Sequence, residues 1–568
     1  MNDIKIPVGL ENFELIRTSG FYYIDKTRFI AELVQDAFSV NLITRPRRFG
    51  KTLMMSMLES FFDIRKDSRA IFVGLEITEN TALCEKWMNQ WPVLFLSFKD
   101  IASNKFKNSY EQLMFNISSL YIEHEYLLKS GQVNVADKEC FMRLMMRTAS
   151  EAEVRNSLFL LTRMMYMHYG KPVILLLDEY DVPLSKANGY GYYDEMLDLV
   201  RSLLSTALKT NLYLKFAVVT GCLRIARESI FTGANLFVMN SIHEGGYMDA
   251  FGFTEEEVRK LLKDAGFESH LPDMKRWYDG YRFGDYEIYC PWDVVNYAAA
   301  LLKTPDKKPG NYWKDTSHNN IIKSFIDDPD IHVNDQFEML LAGGEVAVRI
   351  KEDLTYQLEE SEDRERYFWS ILYLTGYLTK AKESSPDWEI VRLRIPNEEV
   401  KTIFTDTIVE WFRDTMKSRD RKPLFEAWWS GDEVVLTEMV SELLFETISY
   451  FDYREDYYHA FLAGLFAGAG YNVSSNTESG LGRTDIVVKD RKSRRALIIE
   501  AKRSESKARM ESDCEKALEQ IRENQYARPF ESGYQSILCY GAAFFEKSCM
   551  IRKFEVKGNR ERTAYDIE

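Results

Sequence analysis

Apolar residues in the first half of the chain come in short runs that end at polar or charged residues. Three runs, residues 40–44, 173–179 and 214–221, are short and mainly apolar until their polar ends. Strands buried on both faces of a parallel sheet have this pattern. After the first run a Pro and a Gly break the pattern, and residues 52–62 then take helical spacing. The pattern predicts an α/β domain in which a strand leads through a loop into a helix.

The last quarter of the chain shows apolar runs of a different arrangement. Residues 471–475, 485–488 and 496–499 form short runs bounded by Gly or by charged residues, which is typical of strands in a small mixed sheet. Helical spacing precedes them at 456–469 and follows them around 517–521. A second α/β unit is therefore expected at this end.

The region between these two parts is predicted to be mostly helical. Thr254 followed by three acids is a helix cap, so a helix should run from there toward Gly266. An aromatic turn at 277–283 is expected to belong to a lid, either packed within the lid core or stacked on a ligand. Further helices are expected farther along, with prolines at the breaks: 367–377, 400–416, Pro386 and Pro396.

The loop after the first strand reads Arg-Pro-Arg-Arg-Phe-Gly-Lys-Thr over residues 45–52. In a strand-loop-helix context its backbone N–H groups and the helix N-terminus predict a nucleotide phosphate cradle. Lys51 would reach the β- and γ-phosphates, and Thr52 would bind Mg²⁺. The other loop residues expected to bind the nucleotide are Arg48, Phe49 and Gly50. Arg45 departs from the consensus because it stands where the first Gly of G-x-x-x-x-G-K-[ST] belongs.

Two further runs end in residues suited to phosphoryl chemistry. Asp178 could hold Mg²⁺ through water, and Glu179 could orient the attacking water. Thr220 ends the next run and is a candidate γ-phosphate sensor, and Arg224 could stabilise the transition state. The alternatives are ordinary surface carboxylates at a strand end and ion pairs between Arg224 and surface acids.

The C-terminal runs carry a second set of acids. Asp485 opens one strand and Glu500 closes the next, so a hairpin would bring the carboxylates side by side. Such a pair suits Mg²⁺ or Mn²⁺. Lys502 lies two residues after Glu500 and shares its face, where it could act on the attacking water and the phosphate. The alternative is a Glu500–Lys502 ion pair on a solvated edge. His459 is interpreted as a packing or hydrogen-bonding residue.

This arrangement resembles the PD-(D/E)XK nuclease core, which implies a third acid, with Glu455 as the candidate. The whole chain resembles the bacterial AAA-ATPase-like family, whose members carry a C-terminal PD-(D/E)XK domain of the DUF1703 type. Five segments carry the resemblance: 22–27, 45–52, 177–181, 277–281 and 311–317. In that family an Arg-Pro-Arg-Arg-Phe-Gly-Lys-Thr loop is typical.

The resemblance implies a fold and a domain order. The fold class is α/β: a P-loop NTPase domain of the AAA type with a helical lid and a helical middle region, followed by a restriction-endonuclease-like domain. The expected boundaries are 1–250 for the ATPase core, 251–300 for the lid, 301–440 for the connecting domain and 441–568 for the nuclease-like domain.

Composition narrows the class of protein. A chain of 568 residues with 45% hydrophobic residues supports several packed domains. The absence of an N-terminal apolar signal segment or a run of ~20 apolar residues predicts a cytoplasmic protein without a membrane partner. Seven scattered Cys with no C-x-x-C pair are expected to be reduced thiols.

Charge is distributed unevenly. A formal net charge of −15 argues against coating nucleic acid with the whole surface. Residues 441–568, however, are near neutral, with 20 Lys and Arg against 21 Asp and Glu. Eight cations between 491 and 510 suggest a basic patch beside the C-terminal acids, although residues 491–495 could equally form a solvated hairpin.

Two classes of function fit these features. The first is an ATP-controlled, Mg²⁺-dependent nuclease acting on DNA or RNA, with a second copy of the chain or a protein trigger as a further partner left open. The second is an ATP-dependent signalling switch whose nuclease-like domain only binds nucleic acid or a protein. Retention of Asp485, Glu500 and Lys502 together favours the first, because a binding module does not need buried like charges.

Overall fold

The computed structural model describes most of the chain. The described residues are 4–36, 39–225, 237–243, 245–313, 334–341, 343–354, 361–382, 390–405, 422–447, 455–479 and 482–557. They fall into two compact units, of which the first comprises Met1–Ser317 and Ala347–Val400 and the second His318–Val346 and Lys401–Glu568.

The strands of the described residues, in chain order, are β1 Val40–Thr44, β2 Val93–Ser97, β3 Val173–Asp178, β4 Leu214–Gly221, β5 Arg224–Ile225, β6 Phe237–Asn240, β7 Tyr281–Phe283, β8 Tyr286–Ile288, β9 Val346–Arg349, β10 Asp353–Leu354, β11 Thr379–Lys380, β12 Ile390–Arg394, β13 Asn472–Ser479, β14 Gly482–Asp490, β15 Arg495–Arg503, β16 Ser536–Phe545 and β17 Ser548–Lys557.

The α-helices with assigned bounds are Phe13–Thr18, Arg28–Gln35, Lys51–Phe62, Arg69–Phe72, Thr81–Trp87, Phe106–Glu123, Val135–Met145, Glu151–Arg155, Ser157–Tyr169, Val182–Tyr190, Tyr193–Leu208, Glu255–Ala265, Leu271–Tyr278, Pro291–Lys303, Asn334–Leu341, Ser361–Thr375, Lys422–Ser430, Glu433–Thr447, Glu455–Gly468 and Met510–Glu523.

A parallel five-stranded sheet organises the first unit, in the order β2-β3-β4-β1-β6. All five residues of β1 and all six of β3 are buried, as expected for strands covered on both faces. Because parallel strands end at the same edge, Thr44, Ser97, Asp178 and Gly221 come together there. Open α/β sheets bind ligands outside this carboxyl edge.

A mixed five-stranded sheet organises the second unit, in the order β13-β14-β15-β16-β17. β15 pairs parallel to β16, and the other neighbours are antiparallel. Alternate residues of the central strand β15 face different cores. Leu497, Ile499 and Ala501 pack with the helix Glu455–Gly468, whereas Ile498 packs with the helix Met510–Glu523.

The chain between the two main sheets contains more strand than its pattern indicates. Strands β9, β12 and β11 form a three-stranded sheet where a mostly helical region was expected. The predicted helix 367–377 is present as Ser361–Thr375, whereas the predicted helix 400–416 lies outside the described residues beyond 405. β12 is only five residues long and β11 only two, so their pattern carries little strand signal.

The predicted helix after Thr254 is confirmed. It spans Glu255–Ala265, with a reciprocal capping box between Thr254 and Glu257 and Gly266 in the left-handed conformation at its end. Among the described helices, none is both long enough and apolar enough to cross a membrane.

Candidate functional site

The loop after β1 leads directly into a helix, as the sequence predicts. The helix begins at Lys51, and Gly50 before it has a φ of 79°, which only glycine adopts without strain. The first helical N–H groups and the positive end of the helix dipole therefore lie next to the loop. This arrangement favours an anion such as a phosphate at the loop.

Lys51 is held inside this loop, with 3% of its surface exposed. Its Nζ donates to the carbonyl oxygens of Arg45 and Pro46, at 3.1 and 3.0 Å, and lies 3.4 Å from Cys222 Sγ. Burial acts to lower the pKa of Lys51, but nearby groups raise it above the ordinary value, led by Cys222 and Glu179. The loop thus encloses a charged ammonium group.

Asp178 at the end of β3 accepts hydrogen bonds from hydroxyl groups on neighbouring elements. Thr52 Oγ1 donates to Asp178 Oδ2 at 2.9 Å, and Thr220 Oγ1 donates to Asp178 Oδ1 at 2.6 Å. Ser97 Oγ lies 3.4 Å from Asp178 Oδ2. The Thr52 hydroxyl and the Asp178 carboxylate form an oxygen donor set that suits Mg²⁺. The structure therefore brings together Thr52, Asp178 and Thr220, and adds Ser97, which the sequence interpretation missed.

Glu179 occupies a strained position immediately after Asp178. Its φ is 53°, which is uncommon for a residue other than glycine, and such strain clusters at functional sites. Its backbone N–H donates to Thr220 Oγ1 at 3.3 Å. Burial raises the pKa of the Glu179 carboxyl group, while Lys51 opposes the shift. A second acid is thereby fixed beside residues 45–52, the predicted phosphate loop.

Asp181 is a further buried acid of this site that the sequence interpretation left out. Its Oδ2 accepts the backbone N–H groups of Cys222 and Leu223, each at 3.0 Å. These bonds tie the segment after β3 to the turn after Thr220. The sequence offered one signal, since Asp181 closes the Leu-Asp-Glu-Tyr-Asp segment.

The C-terminal acids lie side by side, as the predicted hairpin requires. The β14–β15 register pairs Ile486 with Ile499, which places Asp485 opposite Glu500. Asp485 Oδ2 accepts the backbone N–H of Ala501 at 2.9 Å. Burial, with Asp485 as the next cause, raises the pKa of Glu500 to about 7. Glu500 is 1% exposed on a central strand, which excludes a solvated edge.

Lys502 completes this cluster on the same face of β15. Its Nζ lies 3.3 Å from Glu500 Oε1, while Glu500 Oε2 is buried and has no hydrogen-bond partner in the described part of the chain. An orphaned buried carboxylate oxygen beside a second carboxylate fits a hard cation. Within the described residues no group of three or more His, Cys, Asp or Glu is arranged to hold a metal.

Comparison with known proteins agrees with the two kinds of domain expected from the sequence. Residues 7–231 match the model of the AAA-ATPase-like family, described as a predicted AAA-ATPase, and residues 453–554 match that of the PD-(D/E)XK nuclease superfamily. The chain joins an AAA-ATPase-like domain to a PD-(D/E)XK nuclease superfamily domain. The chain is also 25% identical to an "Uncharacterized protein in vnfD 5'region" of Azotobacter chroococcum mcd 1, over 98% of this chain and 99% of that protein.

Arg224 is placed differently from the other predicted residues of the AAA-ATPase-like domain. It forms an ion pair with Asp353, and their short strands β5 and β10 run side by side. This contact corresponds to the alternative of an Arg paired with an acid. A role at a phosphate would require Arg224 to leave Asp353.

The side chains of Arg48 and Phe49 lie against protein rather than in the phosphate cradle. The Arg48 guanidinium stacks on Trp292, 4.1 Å from the ring centroid. Phe49 packs on Tyr281 and Phe283, with ring centroids 5.0 and 5.1 Å away. Only the backbone of these two loop residues remains suited to phosphate binding. The buried Tyr281 and Phe283 also show that the aromatic turn packs within the protein core.

Two residues support the acids of the nuclease superfamily domain. Gln520, on the helix Met510–Glu523, donates its Nε2 hydrogen to Glu500 Oε1. His459 Nε2 lies 2.8 Å from the backbone oxygen of Asp485, in agreement with its interpretation as a hydrogen-bonding residue. Glu455 begins the helix that carries His459, but its side chain lies outside the described part of the structure.

The basic patch divides into separate parts. Arg491, Lys492 and Arg494 occupy the β14–β15 turn, which lies about five residues, or roughly 16 Å, along the strands from Asp485 and Glu500. The placement of the whole patch beside the acids was therefore wrong. Other members are already paired with acids, namely Arg495 with Asp490 and Arg509 with Glu505.

Proposed function

We propose that this protein binds and hydrolyses ATP and uses that cycle to control metal-dependent hydrolysis of phosphodiester bonds in DNA or RNA. The observation that carries the proposal is the cluster of Asp485, Glu500 and Lys502. Glu500 has a buried carboxylate oxygen without a partner in the described part of the chain, and a second carboxylate and an ammonium group lie beside it. Such a cluster does not stabilise a structural core, because each charged group is costly to desolvate.

In the proposed nuclease reaction, Asp485 and Glu500 hold Mg²⁺ or Mn²⁺, with Glu455 as a candidate third ligand. When bound there, the ion would supply an activated water and would neutralise developing charge on the phosphate. Lys502 orients that water and offsets charge on the phosphate. Gln520 holds Glu500 in place through its hydrogen bond to Oε1.

In the proposed ATPase reaction, the loop backbone at Arg48, Phe49 and Gly50 binds the phosphates and Lys51 exchanges its carbonyl partners for phosphate oxygens. Thr52 and Asp178 would hold Mg²⁺, whose charge would stabilise the transferring phosphoryl group. Glu179 orients the attacking water, and Thr220 links Asp178 to the position of the γ-phosphate. Arg224 stabilises the transition state in this proposal only when its ion pair with Asp353 is broken.

The proposal also includes the domain organisation of the chain and its cellular location. The four-part division at residues 250, 300 and 440 assigns the ATPase core, lid, connecting domain and nuclease-like domain, and the protein acts on its nucleic acid in the cytoplasm.

The proposal is tested with purified full-length protein and four substrates: plasmid DNA, linear duplex DNA, single-stranded DNA and RNA. Each is incubated with and without Mg²⁺ or Mn²⁺, and with and without ATP. We expect cleavage of at least one substrate that requires the divalent ion and changes in rate with ATP. Binding of ATP without cleavage of any substrate would instead favour the switch whose nuclease-like domain only binds.

A further inference from the structure

Arg45 is the residue of the phosphate loop that departs most from the consensus, and it is fully buried. Its backbone N–H donates to the carbonyl oxygen of Gly221 at 3.1 Å, which continues the pairing of β1 with β4. Its side chain leaves the loop in the other direction, toward the segment after β6. A glycine at this position would make only the backbone contact.

The Arg45 guanidinium bonds to main-chain carbonyl groups. Nη1 donates to Thr44 O at 2.9 Å and to Asn240 O at 2.7 Å, and Nη2 donates to Gly246 O and Tyr247 O, each at 3.0 Å. The guanidinium also lies 5.2 Å from the ring centroid of Phe251. No carboxylate among the described residues forms an ion pair with it. Among the described residues, carbonyl dipoles, aromatic faces and the Met248 sulfur therefore surround this charge in place of water.

A buried cation without an anion is unfavourable unless another group compensates it. Burial lowers the pKa of Arg45 to about 9, so the side chain is still charged at neutral pH. It stands at the start of a loop that the proposed function fills with a polyanion. A fixed positive charge in a dry environment makes the electrostatic potential at the loop more positive, which favours binding of such a ligand.

The peptide units of Arg45 and Pro46 hold Lys51. The Lys51 ammonium donates to the carbonyl oxygens of Arg45 and Pro46, so the orientation of these two carbonyls sets its position. Pro46 is confined as well, because a Cβ at Gly376 would lie 2.9 Å from Pro46 Cβ. The loop is therefore held from outside at both residues that place Lys51.

From these contacts we infer that Arg45 is a positioning residue for ATP binding. Its guanidinium ties the first residue of the phosphate loop to Asn240, Gly246 and Tyr247, and it keeps the loop backbone and Lys51 in place for the triphosphate. The inference rests on the proposed ATP site. It has an unusual consequence, since restoring the consensus glycine should weaken ATP binding.

The test uses the full chain in three forms: wild type, Arg45→Gly and Arg45→Lys. Arg17→Met is the matched control, because Arg17 also donates to two main-chain carbonyls, Ile71 O at 2.7 Å and Val73 O at 2.9 Å, outside the loop. The measurements are the Kd of a fluorescent ATP analogue, the KM and kcat of ATP hydrolysis, and the melting temperature with and without ATP.

We expect Arg45→Gly to raise Kd and KM for ATP by about tenfold or more, since each hydrogen bond from a charged donor is worth a factor of that size. The rise in melting temperature on adding ATP should shrink in parallel. Arg45→Lys should recover part of the affinity because an ammonium group can donate to the same carbonyls. Arg17→Met should lower the melting temperature and leave Kd and KM unchanged.

Wild-type ATP affinity in folded Arg45→Gly would overturn the inference, and so would equal changes of Kd in Arg45→Gly and Arg17→Met. If Arg45→Gly does not fold, Arg45→Lys decides, because a merely structural arginine would change stability without changing KM. Lys51→Ala distinguishes failure of the Arg45 inference from failure of the proposed ATP site. Loss of binding in Lys51→Ala with full binding in Arg45→Gly rejects the Arg45 role alone, whereas full binding in Lys51→Ala rejects the ATP site.

Discussion

Individual side chains at the carboxyl edge of the first sheet form one connected set. Thr52 and Thr220 both donate to Asp178, and Lys51 lies in the loop beside them. Each is a polar residue at the end of an apolar run or at the start of a helix, so its position could be predicted from the sequence. The side chains cluster because parallel strands end at one edge.

Lys51→Ala tests the phosphate loop directly. We expect ATP hydrolysis to fall by about two to three orders of magnitude, the scale on which one preorganised charge-stabilising group acts, and ATP binding to weaken strongly. Lys260→Ala is a suitable control, because Lys260 is an exposed helix residue in the same unit. Unchanged turnover in folded Lys51→Ala would contradict the nucleotide site.

Substitutions of the adjacent acids Asp178 and Glu179 should have different effects. Glu179→Gln should keep ATP binding and slow hydrolysis about a hundredfold or more, since an amide cannot act as a general base. Asp178→Asn should also weaken Mg²⁺-dependent binding, because Asp178 holds Thr52 and Thr220. Binding and single-turnover assays distinguish them. The division of roles is wrong if both variants lose affinity and rate together.

The contact partners of other site residues could not be assigned from the sequence, because these partners lie far away along the chain. Gln520 reaches Glu500 from the helix that was predicted around 517–521, but local periodicity does not reveal which face of β15 this helix covers. Arg224 pairs with Asp353, far along the chain. Ser97 ends a strand as the other site residues do, but it became recognisable only once the order of strands was known.

At the scale of elements, apolar runs located three strands of the first sheet well, whereas β2 and the ten-residue strands β16 and β17 were not predicted. β1 and β4 have the predicted bounds, and β3 and the helix after the phosphate loop differ from the predicted bounds by one residue. The three-stranded sheet of β9, β11 and β12 was missed, because short strands depend on their partners more than on local pattern.

A buried pair of acids links the elements next to the phosphate loop. Glu399 accepts the backbone N–H groups of Tyr312 and of Trp313, the latter at 2.7 Å, and is hydrogen-bonded to Asp293. Burial raises the pKa of both acids well above their ordinary values, and Cys290 and Arg48 lie beside Asp293. Near neutral pH the folded pair therefore retains a proton, which the two carboxyl groups lose when the chain unfolds.

This pair predicts a pH dependence of stability. Because the folded pKa is raised, the contribution is complete below the unfolded pKa of about 4.5 and is lost as pH rises through the folded pKa. Glu399→Gln mimics the protonated acid and should flatten the decline of melting temperature between about pH 5 and 9. Exposed Glu256→Gln is the control. An unchanged slope in Glu399→Gln would show that the pair does not retain this proton.

The β14–β15 turn provides a test of nucleic-acid contact by an element. Arg491 and Lys492 are exposed there, away from the acids. If they contact phosphates, replacing both with Gln should lower the slope of log affinity against log salt concentration by about two. The slope is measured by fluorescence anisotropy at several salt concentrations. No change in slope would favour the alternative, a solvated hairpin turn.

On the scale of the whole molecule, the chain places an AAA-ATPase-like domain and a PD-(D/E)XK nuclease superfamily domain in one polypeptide. The fold class of both could be predicted from sequence, because each has a motif in a suitable strand context. The boundaries of the lid and connecting domain stay predictions, as do the two activities and their coupling.

The most direct test of the central claim is metal-dependent cleavage by Lys502→Ala compared with wild type and Lys557→Ala, with ATP present and absent. Lys557→Ala removes the same charge from the exposed end of β17 in the same sheet. The proposal predicts that Lys502→Ala binds Mn²⁺ and nucleic acid but has lost cleavage, that Lys557→Ala cleaves, and that Asp485→Ala and Glu500→Ala lose both metal binding and cleavage. Cleavage by Lys502→Ala at the wild-type rate, or no cleavage by a wild type that binds ATP, would contradict it.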